Sequence, residues 1–138
     1  MFKWLVTSVI KFLTHLILRI DYAELQKIPH NGPLIAVGNH VNFLDVPVMY
    51  SHLFPRRMTG LGKIETWDNP FLGWLFNVWG IIPINRDKAD FQAFQKAKDA
   101  LRDGKILAVS PEGTRSEDGK LIRGKPGIAM LITRSDVP

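Results

Sequence analysis

Along residues 1–20, apolar and polar side chains segregate at a helical period. Placed at about 100° per residue, Lys3, Thr7, Ser8, Lys11, Thr14, His15 and Arg19 share one side. Phe2, Leu5, Val6, Val9, Ile10, Phe12, Leu13, Leu16 and Ile17 share the other, and Trp4 and Leu18 are exceptions on the polar side. No Pro or Gly interrupts the run, so it predicts an amphipathic helix. A spanning helix needs about 20 mainly apolar residues, and Lys11 near its centre would cost roughly 2.5–3.5 kcal/mol. A helix lying in the membrane interface avoids that cost and brings Lys3, Lys11 and Arg19 to anionic head groups. The alternatives are packing of the same helix on its own domain, a true span, or a secretory signal. No small-residue cleavage site follows the short apolar run Trp4–Ile10.

Beyond residue 20 the periods alternate. Asp21–Pro33 is a connector with turn signals at Pro29, Asn31, Gly32 and Pro33. Short apolar runs predict strands at Leu34–Gly38, Arg57–Gly62, Gly80–Ile84 and Lys105–Val109. Helical spacing predicts helices at Leu44–Leu53, Asn69–Trp79, Lys88–Asp103 and Gly127–Arg134. The segment Asn69–Trp79 is apolar nearly all round, which suits a buried helix or one that meets lipid. In Lys88–Asp103, Phe91, Phe94, Ala97 and Leu101 form the apolar stripe, and Gly104 is the C-terminal cap. Strands alternating with helices indicate an α/β domain over residues 21–138 with a largely parallel sheet flanked by helices. The chain stops at Asp136-Val137-Pro138, where an extended segment begins, so the sheet domain is expected to be incomplete.

Composition narrows the partners. The chain has 138 residues and a net charge of +5, which favours anionic partners. Its four Trp and eight Phe lie mainly in apolar stretches, not interleaved with Arg and Lys as base-stacking platforms are. Nucleic acid is therefore disfavoured against lipid head groups and phosphorylated substrates. The absence of cysteine removes thiol nucleophiles, disulfides and Cys-based zinc sites. Walker, Rossmann, nucleophile-elbow and H-E-x-x-H patterns are also missing.

The chemistry-bearing residues follow the predicted strand ends, where open α/β sheets bind ligands. Asn39-His40-Val41-Asn42-Phe43-Leu44-Asp45 follows the first strand. A His there can take a proton from a hydroxyl, and a carboxylate on its far ring nitrogen fixes the tautomer. On one ideal helix, residues five apart stand about 140° from each other. The pair therefore requires His40 in the turn before the helix and Asp45 in its first turn. The competing reading makes Asn42 an N-cap and Asp45 its N3 residue, a variant of a capping box. Ser110-Pro111-Glu112-Gly113-Thr114-Arg115-Ser116 follows the last strand, where Arg115 can grip a phosphate with help from Thr114, Ser116 and backbone N–H groups. Taken alone, this segment also reads as a solvated turn. Arg86 and Lys63 follow the other two strands, each alone readable as surface charge. His15, His30 and His52 lack matching neighbours.

Together these segments resemble the lysophosphatidic acid and glycerol-3-phosphate acyltransferase family, the PlsC-like proteins. Asn39–Asp45 is similar to its N-H-x4-D motif, Gly80–Arg86 to its second motif, and Pro111–Ser116 to its P-E-G-T-R-S motif. The resemblance implies a glycerol-3-phosphate acyltransferase-like domain. It makes His40 the general base and Asp45 its orienter, with Arg86, Glu112, Gly113, Thr114, Arg115 and, less directly, Lys63 around the glycerol-phosphate of the acceptor. It also implies acyl transfer from acyl-CoA or acyl carrier protein to 1-acyl-glycerol 3-phosphate, with no metal, no cofactor and no acyl-enzyme. Membrane association at the cytoplasmic face of the inner membrane follows from the same resemblance. Ser110 replaces the family's usual Phe, Pro83 interrupts the second motif, and Asn85 replaces a frequent Asp. The fourth motif would begin near Val137-Pro138. Two other readings stand beside this one: a non-catalytic peripheral protein binding anionic lipid, and an acyltransferase for another lysophospholipid or an amino-acid lipid.

Overall fold

The computed structural model describes residues 1–135 and Val137, with Gln26 by its backbone alone. The expected fourth motif therefore lies outside the described residues, apart from Val137, whose side chain packs on a core. Strands β1 (Leu34–Val37), β2 (Met58–Lys63), β3 (Ile82–Ile84) and β4 (Ile106–Val109) form one sheet in the order β1-β4-β2-β3. Every pairing is parallel. Five helices surround it: α1 (Phe2–Ile17), α2 (Asp45–Leu53), α3 (Pro70–Trp79), α4 (Phe91–Arg102) and α5 (Pro126–Thr133). Two 3₁₀ turns, Glu24–Lys27 and Ile64–Asp68, fall where no element is expected from the sequence.

Boundaries move inward where caps dictate them. Asn69 accepts from the N–H groups of Phe71 and Leu72 at 3.1 Å, and Pro70 opens α3 with the φ a first turn needs. Gly80 closes α3 in the left-handed region, with φ 70°, so β3 starts only at Ile82. Asp90 accepts from Ala93 N at 3.0 Å, which delays α4 to Phe91. This corrects one expectation. Phe91, assigned to the apolar stripe, is the first helical residue and is 75% exposed, while the buried stripe runs through Ala93, Ala97, Ala100 and Leu101.

All four residues of β4 are buried, as expected for a central parallel strand covered on both faces. Ile106 and Ala108 face a core formed with Tyr50 and Leu53 of α2 and Leu75 and Trp79 of α3. Leu107 and Val109 face the other, formed with Ala93, Ala97 and Leu101 of α4 and Leu131 of α5. On the α2–α3 face the strands taper. Leu34, Ile106 and Met58 stand in one register row, and Ala36, Ala108 and Gly60 in the next. Since side chains alternate along a strand, the following residues on that face are Gly38, Ser110 and Gly62. A Cβ at Gly38 would meet nothing within 4 Å, so space opens beside β1, whereas at Gly62 Ile81 and Phe76 fill it.

α1 lies against α2 with its small polar residues inward. Thr7 is 1% and Thr14 3% exposed, whereas Phe12 is 68% and Leu16 72% exposed. Trp79 donates through Nε1 to Thr7 Oγ1 at 3.3 Å, and Val6 and Ile10 reach the core beneath. The rest of the apolar side, from Phe2 to Ile17, stays uncovered. Phe2 meets the exposed Trp74 of α3 edge-on, extending that apolar surface. Among the described residues, no helix is long and apolar enough to cross a membrane.

Candidate active site

The parallel sheet brings the segments after all four strands to one edge, where they border a cavity of about 1330 Å³. β1 carries the chain into the His40 turn, with Gly38 N donating to Val109 O at 3.3 Å. α2 begins at Asp45, so the His precedes the helix and the Asp opens it, the one arrangement in which the pair can meet. They do meet: His40 Nδ1 lies 2.9 Å from Asp45 Oδ2. The same oxygen accepts from Val41 N at 2.9 Å and Asn42 N at 2.8 Å. Facing a carboxylate that already receives two N–H groups, Nδ1 carries the ring proton and Nε2 is left as the basic nitrogen.

The capping-box reading is corrected in its positions: the N-cap is Leu44 and Asp45 is the first helical residue, so Asn42 is not the cap and Asp45 is not N3. Asp45 nonetheless returns to the N–H of Asn42, as the acid of a capping box does, and it also fixes His40. Asn42 completes the turn through Oδ1, which accepts from Leu44 N at 3.0 Å. Burial opposes the charge on Asp45, but the N–H of Asn42, the His40 ring and the N–H of Val41 outweigh it and hold the carboxyl below its ordinary range. A constantly ionised partner is what an imidazole needs if it is to accept a proton.

The loop after β4 is stitched to the same edge. Gly113, with φ 67°, closes a turn by donating to Ser110 O at 3.1 Å. A Cβ at Gly113 would lie 3.1 Å from the Lys125 side chain, so both backbone and space call for glycine. Ser116 is buried, and its N–H donates to the carbonyl of His40 at 2.7 Å. Arg86, following β3, donates through a guanidinium nitrogen to Gly113 O. Desolvation lowers its pKa, and the carboxylate of Glu65 opposes that shift.

His40, Asp45, Lys63, Arg86, Gly113, Thr114 and Arg115 all border the cavity. Arg86 divides its donors between the cavity and the loop. Thr114 and Arg115 are exposed, and Arg115 forms no ion pair among the described residues. Glu112 is placed differently. It is 4% exposed, its Oε1 accepts from Ile122 N at 3.0 Å, and its Oε2 is enclosed without a partner. It anchors residues 121–122 beneath the turn and does not border the cavity.

Two groups at the site escaped the sequence reading. Glu65 faces Lys63 across 3.5 Å; its signal was an acid two residues beyond a strand-end cation. Ser110, read from the sequence as the start of the segment after the last strand and as a departure from the family motif, borders the cavity and has an enclosed Oγ without a partner. No cluster of three or more His, Cys, Asp or Glu suited to a metal ion occurs among the described residues.

Comparison with known proteins identifies the family and the fold. The profile of the family described as Acyltransferase matches residues 19–138. The chain is 26% identical over 123 residues to a chloroplastic 1-acyl-sn-glycerol-3-phosphate acyltransferase of Brassica napus, covering 87% of this chain and 35% of that protein. It is 37% identical over 91 residues to the lyso-ornithine lipid O-acyltransferase of Rhodobacter capsulatus, covering 65% of this chain and 31% of that one. The crystal structure of the 1-acyl-sn-glycerophosphate acyltransferase PlsC from Thermotoga maritima superposes with a TM-score of 0.61 at 26% identity, over 82% of this chain and 44% of that one. The chain thus spans less than half the length of these relatives. With a matched family profile, a shared α/β fold and the His-Asp pair at the same sheet edge as its basic residues, the chain belongs to the Acyltransferase family.

Proposed function

We propose that the cavity is an acyl-transfer site in phospholipid synthesis, acting on the free hydroxyl of 1-acyl-glycerol 3-phosphate. His40 Nε2 takes the hydroxyl proton as the oxygen attacks the carbonyl of an acyl thioester, acyl-CoA or acyl carrier protein. The new C–O ester bond forms, the C–S bond breaks, and the proton passes from His40 to the departing sulfur. Asp45 steadies the transient imidazolium without taking the proton. No enzyme nucleophile, metal or cofactor enters these steps. Arg115, Arg86 and Lys63 face the phosphate, and the tapered apolar end of the cavity takes an acyl chain. Residues 21–138 carry this site, and α1 holds it at a membrane by its uncovered apolar side, at the cytoplasmic face of the inner membrane.

The observation that carries this reading is the His40–Asp45 hydrogen bond, with the basic residues bordering the same cavity. The test supplies radiolabelled acyl-CoA and lysophosphatidic acid to the wild type and to His40→Ala. General-base loss is expected to lower the rate about 10²–10⁴-fold. Equal rates in the two proteins would remove His40 from the chemistry.

The acceptor has a second reading. Lyso-ornithine lipid O-acyltransferase and an N-acylphosphatidylethanolamine synthase of Arabidopsis thaliana, 34% identical over 124 residues, are among the similar proteins. Neither is named for lysophosphatidic acid. Parallel assays with lyso-ornithine lipid decide between acceptors. A purely lipid-binding role, favoured by the exposure of α1, predicts vesicle binding that survives His40→Ala with no transfer by the wild type.

A further inference from the structure

The uncovered side of α1 does not end with α1. Phe2, Leu5, Val9, Phe12 and Leu16 are exposed along one side of that helix, a stripe about 24 Å long at 1.5 Å per residue. At its N-terminal end the Phe2 ring meets Trp74 of α3 with centroids 6.0 Å apart, and Trp74 meets Phe71 at 5.9 Å. Trp74 is 42% and Phe71 65% exposed. The two helices are also tied beneath this surface. Lys3 Nζ donates to Trp79 O at 3.4 Å, and Trp79 Nε1 donates to Thr7 Oγ1 at 3.3 Å. Phe71 and Trp74 are thus held beside the stripe. Phe91 of α4 is as bare but joins no such ring cluster among the described residues. Lone exposed apolar side chains are ordinary, whereas a contiguous patch marks a contact surface.

Charge points to the partner. Residues 1–20 carry Lys3, Lys11 and Arg19 and no acid. α3 carries no charge, and Asp68, two positions before its start, is the nearest acid in sequence. The same helix borders the cavity through Leu72, Leu75 and Phe76. We propose that Phe71 and Trp74 enter the lipid interface together with α1, so that two attachments give the domain one orientation on an anionic membrane. A single interfacial helix leaves the domain free to roll about the helix axis. A second apolar contact off that axis stops the roll. Because α3 also walls the cavity, the contact keeps that wall beside the bilayer. Trp suits the place, with an apolar ring and a polar N–H at head-group depth. The proposal rests on the reading of α1 as a membrane anchor, and it does not depend on acyl transfer.

The lack of cysteine allows a direct test. Phe12→Cys, Phe71→Cys, Trp74→Cys and Phe91→Cys, each in the whole chain and carrying a nitroxide label, are bound to vesicles of phosphatidylglycerol and phosphatidylethanolamine in equal parts. Collisions with oxygen, which concentrates in hydrocarbon, are compared with collisions with a nickel chelate, which stays in water. On binding, the labels at positions 12, 71 and 74 should shift towards oxygen, and the label at position 91 should keep its aqueous values. Without labels, the double variant Phe71→Ser, Trp74→Ser should partition onto the same vesicles on the order of tenfold more weakly, with an unchanged urea midpoint. Aqueous values at 71 and 74 with position 12 in lipid overturn the proposal and leave the α1 anchor standing. Aqueous values at all three overturn both. Insertion of position 91 as deep as position 71 overturns it as well, because any exposed apolar site would then insert. Dipolar broadening between labels at position 74 that persists on the vesicles assigns the surface to a second copy of the chain and overturns it too.

Discussion

α1 and α4 are both amphipathic, and they are packed in opposite senses. α4 turns Ala93, Ala97 and Leu101 to the sheet and sends its Lys, Gln and Asp residues outward. α1 turns Thr7 and Thr14 to the domain and leaves Phe12, Leu16 and Ile17 uncovered. Segregation along a helix reveals two faces, but it does not say what covers each. For α4 the answer is the core. For α1 the threonines fit a close helix–helix contact, and the large side chains are left for a partner outside the described residues. An uncovered apolar surface of this kind marks an interaction site, and a lipid interface suits its flanking cations.

The contrast can be broken most sharply at Leu101. Leu101→Ala removes a side chain that is 2% exposed and is expected to cost about 2–5 kcal/mol, read as a lower urea midpoint with an unchanged slope. An equal loss from Leu16→Ala would mean that the two helices are covered alike. The double variant Phe12→Ser, Leu16→Ser should instead stay within about 0.5 kcal/mol of wild-type stability. Its partition onto vesicles containing anionic phospholipid should fall on the order of tenfold or more per side chain lost. Unchanged sedimentation with such vesicles would refute a lipid-facing α1.

The smallest effect lies in the seam that holds α1 in place. His15 of α1 stacks on His52 of α2 with centroids 4.8 Å apart, and Tyr22 closes the group. His52 Nδ1 reaches Val48 O at 2.8 Å, while its Nε2 is enclosed without a partner. Burial lowers the pKa of His52, the Val48 carbonyl opposes the shift, and His15 and Lys11 add to it. A depressed pKa means that the folded state binds the proton less readily than the unfolded chain. The contribution of His52 is therefore present above about pH 6.5 and lost as pH falls through its lower folded value. Amide exchange in α1 should quicken on acidification over that window, and His52→Gln should flatten the dependence. An identical pH response in His52→Gln would assign the effect elsewhere.

Much of the architecture was legible because its causes are local. Ile106–Val109 is a continuous apolar run just past Gly104-Lys105, and Asn69-Pro70 and Gly80 punctuate α3 at both ends. The His40–Asp45 pair was legible as a possibility, since five residues and one helix start bound its geometry. What stayed hidden depends on partners far along the chain. Arg86 meets the carbonyl of Gly113, 27 positions away, and Ser116 closes on the carbonyl of His40. Glu112 reads in sequence as a site acid, yet it lies under the turn because the N–H of Ile122 needs an acceptor there. No spacing rule announces such contacts; they exist only once four strand ends share an edge.

The tapering strand rows bear on how this cavity can be re-cut. A methyl group at Gly60 would stand 3.0 Å from the carbonyl of Ala108, and one at Gly62 would stand 2.9 Å from Ile81 and 3.1 Å from Phe76. Neither position has room for a side chain unless these neighbours shift, so glycine at Gly60 lets β2 lie against β4, and glycine at Gly62 admits Ile81 and Phe76 to the strand. Gly60 and Gly62 belong to a strand that makes none of the hydrogen bonds of the His40 turn. The packing of this cavity wall and the hydrogen bonds of the His40 turn are therefore held by different strands, so bulk added at either glycine disturbs the first directly and reaches the second only through the sheet.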